Sequence, residues 1–101
     1  MQKVCIECKN SVLQLKGEID FYNVVSLWQQ GLIFINDLES VKVDLKQVLE
    51  SDSSGLALLT AWVRAAREKN KKIVLINIPN FMRDILRVYG LEDVLPVLWE
   101  N

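Results

Sequence analysis

The fold of this chain is decided by residues 41–76, which read VKVDLKQVLESDSSGLALLTAWVRAAREKNKKIVLI. Apolar and charged residues alternate over 41–45, the pattern of a strand with one buried face. Helical spacing follows over 53–69, and an apolar run then opens a second strand over 73–78, expected to be covered on both faces. A strand, a helix and a strand in this order predict a right-handed βαβ unit with parallel strands.

Shorter elements precede this unit. Alternating residues over 4–8 and 12–16 predict two strands, and the three polar residues between them predict a tight hairpin turn. Residues 17–20 are expected to break the strand pattern, with Asp20 as the N-cap of a helix. Gly31 is expected to weaken that helix by ~1 kcal/mol relative to Ala. The helix is predicted from the spacing of its apolar residues, which are Phe21, Val24, Trp28, Leu32 and Ile35.

The C-terminal part of the chain predicts a third helix and a docked tail. Asn80 is the expected N-cap of this helix, and Gly90 followed by Leu91 fits a left-handed C-terminal cap. The tail that follows, which includes Trp99, is expected to pack at least partly on the domain. The resulting order β-β-α-β-α-β-α predicts an α/β domain with a mixed sheet of four to five strands and about three main helices.

Length and composition limit the classes of function. A chain of 101 residues, half of them hydrophobic, is expected to form a single domain over 1–101. A net charge of −1 argues against a nucleic-acid partner. No targeting segment is visible and no apolar stretch approaches the roughly 18 residues that span a bilayer, so we expect a cytoplasmic protein without direct membrane insertion. The basic run over 64–72 is interpreted as a solvated face, with contact to an acidic partner or anionic lipid headgroups as the alternative.

Catalytic and metal chemistry is hard to assemble from these residues. The chain has no His, so a Ser or Cys nucleophile lacks its usual base. Cys5 and Cys8 are too few for a zinc site, and their side chains point to opposite faces of a strand. Asp44 and Asp52 lack the acidic neighbours of a receiver domain, and no glycine-rich phosphate loop is present. We therefore expect no catalytic residue, no metal, no cofactor and no enzymatic activity.

Asp52-Ser53-Ser54-Gly55 is open to two interpretations. Asp and Ser are preferred N-cap residues, because their side-chain oxygens accept the free N–H groups of a helix start. A phosphate on Ser53 would also be well tolerated there, and it would add about −1.5 to −2 charges. The helix that follows is apolar around more than half of its circumference, with a polar sector of Thr60, Arg64, Arg67 and Glu68. This apolar surface is wider than the arc of about 100° that a helix needs to face its own core. The surplus indicates either packing against a neighbouring helix or a binding surface.

Several of these segments together resemble the STAS domain along nearly the whole chain. The Asp-Ser-Ser-Gly-Leu segment between a strand and a helix is fairly specific for that family, which implies a STAS-type mixed sheet and a non-catalytic regulatory role. The segments that carry the resemblance are Val43-Asp44-Leu45, Asp52-Ser53-Ser54-Gly55-Leu56, residues 73–78 and Gly90-Leu91.

One branch of the family is the cytoplasmic STAS subunit of the bacterial Mla phospholipid ABC transporter. Residues 26–28, 55–59 and 89–96 are similar to that subunit, whereas Ser53-Ser54 departs from its usual Asp-Thr-Gly-Gly. This resemblance implies an accessory subunit that binds the transporter's ATPase, supports its assembly and activity in maintaining outer-membrane lipid asymmetry, and reaches the inner membrane through that partner. It assigns partner binding to Asp52, Ser53, Ser54, Gly55 and Leu56, together with the exposed edge of the helix over 53–69.

The other branch is the anti-sigma factor antagonists. In these proteins the first Ser after the Asp is phosphorylated by an anti-sigma factor kinase, and Ser53 matches that position. This resemblance implies a protein switched by phosphorylation of Ser53, with a kinase as its partner. The Mla branch is the first hypothesis, because the similar segments outside the motif favour it, and the antagonist branch is the alternative.

Overall fold

The computed structural model describes residues 4–98, over which five strands and three helices alternate. The predicted order β-β-α-β-α-β-α is confirmed, and one further strand follows it. The elements are β1 (Cys5–Lys9), β2 (Val12–Ile19), α1 (Val24–Asp37), β3 (Ser40–Ser51), α2 (Ser53–Glu68), β4 (Lys72–Ile76), α3 (Asn80–Val88) and β5 (Val97–Leu98).

The strands form one mixed sheet in the order β1-β2-β3-β4-β5. β1 and β2 pair antiparallel, and the other neighbours are parallel, so the predicted hairpin and βαβ unit are both confirmed. Asn10 and Ser11 connect β1 to β2 with φ angles of 53° and 64°. Two consecutive positive φ angles make a type I′ turn, whose twist matches that of the flanking strands.

Two strands continue beyond their predicted ends. The break expected at residues 17–20 does not occur, because β2 runs to Ile19 with Gly17 at φ 100° and a shift in register against β3 beside it. β3 runs to Ser51, although a loop was expected after residue 45. Glycine tolerates a positive φ without a Cβ clash, so the strand passes through a local irregularity where the sequence suggested a stop.

Helix α1 begins later than the sequence predicted. Phe21 is 76% exposed and lies in a turn before the helix. Asp20 caps that turn rather than α1: its Oδ1 accepts from the backbone N–H of Asn23 at 2.9 Å, and the Asn23 Oδ1 accepts from the Asp20 N–H at 2.9 Å. The buried residues of α1 are Leu27, Gly31 and Ile35. Of the predicted stripe, Ile35 is buried and Val24 and Leu32 pack partly buried against the core, whereas Phe21 and Trp28 are exposed.

The core lies on one face of the sheet. Leu75 of β4 is buried there, whereas Val74 and Ile76 point to the opposite face and are only half-buried. The three helices pack on the Leu75 side, with α2 contacting both α1 and α3. The expectation that this strand is covered on both faces is therefore wrong.

Helix α2 supplies the largest contribution to this core. Trp62 is fully buried, and its indole N–H donates to the backbone carbonyl of Trp28 at 3.2 Å. Most of the surplus apolar surface of α2 is buried between α1 and α3, so helix packing accounts for it and it is no evidence for a partner. The buried residues of α2 are Gly55, Leu56, Leu58, Leu59, Trp62, Val63 and Ala66.

The end of α3 and the tail follow the sequence prediction. Gly90 has φ 70°, and the Leu91 N–H donates to the Leu86 carbonyl at 2.8 Å, which is the expected left-handed cap. Leu95 is buried and β5 pairs with β4, so this part of the tail packs on the domain. Trp99 lies outside the described residues.

Candidate functional site

The start of α2 is built around Asp52, which connects it to the end of β3. The Asp52 Oδ1 accepts from the backbone N–H of Ser54 at 2.8 Å, and the Asp52 carbonyl accepts from the Gly55 N–H at 3.1 Å. The Asp52 N–H donates to the Ile19 carbonyl at 3.3 Å, which ties the helix start to β2. Asp52 is thus the N-cap that the sequence predicted.

Two residues of the predicted site face inward. Gly55 is buried, and a Cβ at this position would overlap the hydroxyl of Ser51, so the backbone of α2 packs directly against the end of β3. Leu56 is 8% exposed and belongs to the core. These two residues therefore position the helix start, and only a margin of Leu56 reaches the surface.

The exposed part of the predicted site is Asp52 and Ser53, with Ser54 half-buried beside them. Ser53 is the first residue of α2, and within residues 4–98 its hydroxyl makes no hydrogen bond. A helix start carries partial positive charge and free N–H groups, which favour a carboxylate or a phosphate. The site can accept a partner side chain or a phosphate at Ser53.

A groove continues from Ser53 along the outer face of α2, where the sequence predicted an exposed contact edge but no groove. Its other wall is formed by the end of α3 and the turn before β5. We call it the α2 groove; it is lined by Ser53, Leu56, Ala57, Thr60, Ala61, Val63, Arg64, Arg67, Glu68, Tyr89, Leu91, Val94 and Leu95. The polar sector of α2 was visible in the sequence, but the opposite wall depends on how the turn after Gly90 folds back.

Groups suited to catalysis or metal binding do not converge at this site. Cys5 and Cys8 are free thiols on opposite faces of β1, one exposed and one half-buried. Within residues 4–98, no group of three or more Cys, Asp or Glu residues is placed to hold a metal ion. None of the helices in this part of the chain is long and apolar enough to cross a bilayer.

Fold and site together define a class of protein: a small α/β module with a mixed sheet, helices on one face, and a capped helix start exposed at the end of the sheet. A family model described as "Mlab, STAS domain" matches residues 4–98. The chain belongs to this STAS family.

Relatives from two functional groups are similar to the chain. It is 28% identical over 85 residues to the "Intermembrane phospholipid transport system binding protein MlaB" of Haemophilus influenzae, covering 80% of this chain and 81% of that protein. It is 24% identical over 86 residues to the "Anti-sigma-B factor antagonist" of Staphylococcus aureus, covering 84% of this chain and 80% of that protein.

Among solved structures, an anti-sigma factor antagonist from Mycobacterium paratuberculosis superimposes with a TM-score of 0.76. The match covers 97% of this chain and 86% of that one, at 22% identity. At this identity the likeness concerns the fold alone, and it agrees with the predicted STAS-type α/β architecture.

Proposed function

We propose that the protein is a non-catalytic accessory subunit that binds the ATPase of a bacterial Mla-type phospholipid ABC transporter and supports its assembly and activity. The observation that carries this proposal is the exposed, capped start of α2, where Ser53 presents a hydroxyl with no bond within residues 4–98. Membership of the STAS family, whose members are regulatory or accessory, and the MlaB relative support the same role.

The geometry at the start of α2 suits the docking of a partner protein better than catalysis. Asp52 and Ser53 are held in place by the cap and by the bond to Ile19, so little conformational entropy is lost when a partner docks. A small side chain at Ser53 allows a partner backbone to approach the helix start closely. On this proposal the chain acts as one STAS domain over 1–101 in the cytoplasm and reaches the inner membrane only through its partner.

The size of the side chain at position 53 tests this proposal. Ser53→Tyr and Ser53→Asp should weaken binding to the purified ATPase subunit by about tenfold or more, because the first adds bulk and the second adds a negative charge where the partner approaches. Ser53→Ala should bind within about threefold of the unmodified protein. Binding is measured by isothermal titration calorimetry.

A matched control is Ser40→Tyr, because Ser40 is also exposed but starts β3 at the opposite end of the sheet. This variant should bind the ATPase normally. The proposal is wrong if the unmodified protein does not bind the ATPase, or if the two Tyr variants bind equally well.

The antagonist role is the second candidate, and the position of Ser53 favours it. The hydroxyl is exposed and lies at a helix N-terminus, where phosphate is tolerated, and anti-sigma factor antagonists are among the relatives. This role requires a phosphorylated form in cells that a phosphatase removes and that Ser53→Ala abolishes. Intact mass spectrometry that finds no such form under any growth condition would rule it out.

A further inference from the structure

The α2 groove extends the candidate contact well beyond Ser53. Two adjoining depressions of about 400 and about 470 Å³ share Thr60, Arg64 and Leu91, so they form one channel. α2 has 16 residues, which corresponds to a length of about 24 Å. A channel of this length accommodates several turns of a helix or an extended peptide segment.

The far wall of the groove is apolar and exposed. Tyr89 is 60% exposed and Val94 is 55% exposed, and Leu91 lies between them, half-buried. On the near wall, Ala57 and Ala61 are small and leave room above the first two turns of α2. Exposed aromatic and aliphatic side chains around a concave channel are typical of a protein contact rather than of a solvated surface.

The arginines along the groove differ in their partners: those of α3 lie close to a carboxylate, whereas those of α2 do not form ion pairs with the residues that the structure describes. On α3, Arg87 Nε pairs with a Glu92 carboxylate oxygen at 3.2 Å, and Arg83 Nε lies 3.7 Å from the other oxygen. Within residues 4–98, the guanidinium groups of Arg64 and Arg67 make neither a hydrogen bond nor an ion pair. They lie one turn apart on α2, with Glu68 as the single carboxylate lining the groove beside them.

The lysines of the same basic run lie elsewhere. Lys69 and Lys71 both donate to Asn36 at the end of α1, to its side-chain and backbone oxygens respectively. They line a different depression, beyond the end of α2. The positive charge in the groove therefore comes from arginines, whose planar guanidinium groups match carboxylates in geometry.

We propose that the α2 groove binds an amphipathic segment of the ATPase subunit, with apolar side chains against Tyr89, Leu91 and Val94 and carboxylates paired with Arg64 and Arg67. This inference rests on the proposed function and adds the chemistry of the segment that is recognised. Ser53 and the arginines then form two ends of one continuous contact.

Reversal of the two charges tests the inference. Arg64→Glu combined with Arg67→Glu should weaken binding to the purified ATPase subunit by about tenfold or more at low salt, because like charges would then face each other. Raising the ionic strength should weaken the unmodified complex and strengthen binding by the charge-reversed variant, because salt screens attraction and repulsion alike. The affinity of the Arg64→Gln, Arg67→Gln variant should lie between those of the unmodified protein and the charge-reversed variant. Circular dichroism checks that each variant is folded.

The control is Lys9→Glu combined with Lys72→Glu, which changes the net charge equally at exposed positions away from the groove. If this control weakens binding as much as the arginine reversal, the effect comes from net charge and the inference is wrong. If the Ser53→Tyr variant loses binding and the arginine reversal does not, the groove inference fails and the proposed function stands. Absence of binding by the unmodified protein overturns both.

A cross-link identifies the partner group directly. In the Arg64→Lys variant a carbodiimide should activate a carboxylate of the ATPase as an O-acylisourea. The new amine then attacks the acyl carbon and forms an amide, and the carboxylate oxygen leaves in the urea derived from the carbodiimide. Mass spectrometry should place this link at position 64 and on an Asp or Glu of an amphipathic segment. A bound complex that gives links only at other lysines would overturn the inference. Preferential binding of the unmodified protein to anionic vesicles, rather than to the ATPase subunit, would also overturn it.

Discussion

Gly31 lies in the middle of α1, where alanine would normally be preferred by about 1 kcal/mol. Here a Cβ would overlap the indole ring of Trp62, which is fully buried and fills the space between α1 and α2. The ring is also held by its hydrogen bond to the Trp28 carbonyl, so it has little freedom to move aside. The residue that costs helix propensity is therefore the one that permits the closest helix contact.

Gly31→Ala should consequently destabilise the protein, by about 1–3 kcal/mol, as expected for an overpacked core. The free energy of unfolding is measured by urea denaturation. Trp62→Leu provides the matched background, because it removes the ring and leaves space that the extra methyl group can occupy. In that background Gly31→Ala should be neutral or stabilising; a loss of equal size in both backgrounds would contradict the assigned contact.

The same glycine explains why the buried face of α1 was predicted only in part. The sequence offers a regular apolar spacing that includes Phe21 and Trp28, whereas the true face contains a residue with no side chain at its centre. A glycine does not contribute to an apolar stripe, so the apolar spacing predicted a buried face centred on residues beside Gly31. The need for a gap opposite Trp62 is a tertiary requirement, which no local spacing expresses.

At the scale of elements, the start of α2 and the end of α3 were predictable. The N-caps predicted at Asp20 and Asn80 were wrong, because α1 begins after Asn23, and α3 begins after Pro79 without a side-chain cap. Asp52 and Gly90 were assigned their capping roles from the sequence, and the structure confirms both. The ends of β2 and β3 were not predictable, because Gly17 and residues 46–51 carry turn-like or mixed signals. Pairing between these two strands extends them, and such pairing depends on residues about 30 positions apart.

The Asp52 cap contributes to stability independently of any partner. Asp52→Ala should lower the free energy of unfolding by about 1 kcal/mol, because the Ser54 N–H loses its acceptor. Asp52→Ser should retain most of the stability, since a hydroxyl can accept the same bond. The measurement is urea denaturation at constant pH.

Ser53→Ala is the matched neighbour, because the Ser53 hydroxyl has no bond within residues 4–98 and its loss should change stability by less than about 0.5 kcal/mol. The two positions then differ in role: the Asp52 side chain stabilises the helix start, whereas the side chain at position 53 affects the contact through its size and charge. Equal stability of Asp52→Ala and the unmodified protein would show that the cap bond is not formed in solution.

At the scale of the whole molecule, one core connects all parts of the sheet to the three helices. Buried residues from β2, β3 and β4 meet those of α1, α2 and α3 in a single cluster, and Leu95 brings the tail into it. The opposite face of the sheet contributes no fully buried side chain among residues 4–98. The α2 groove lies on the outer side of the helical layer, so partner binding there leaves the core intact.

A single core predicts that the chain unfolds as one unit. Trp62 is a suitable reporter of this core in a Trp28→Phe, Trp99→Phe variant, since Trp28 is exposed and the bond from Trp62 goes to its backbone carbonyl. In urea, the fluorescence of Trp62 and the far-ultraviolet circular dichroism should change at the same midpoint, with a slope of about 1–3 kcal/mol per molar. Helical signal that persists after Trp62 becomes exposed would indicate separate units and contradict a single domain. Coincident transitions would also make the free energies of the Gly31 and Asp52 variants directly comparable, because each would refer to the same folded and unfolded states.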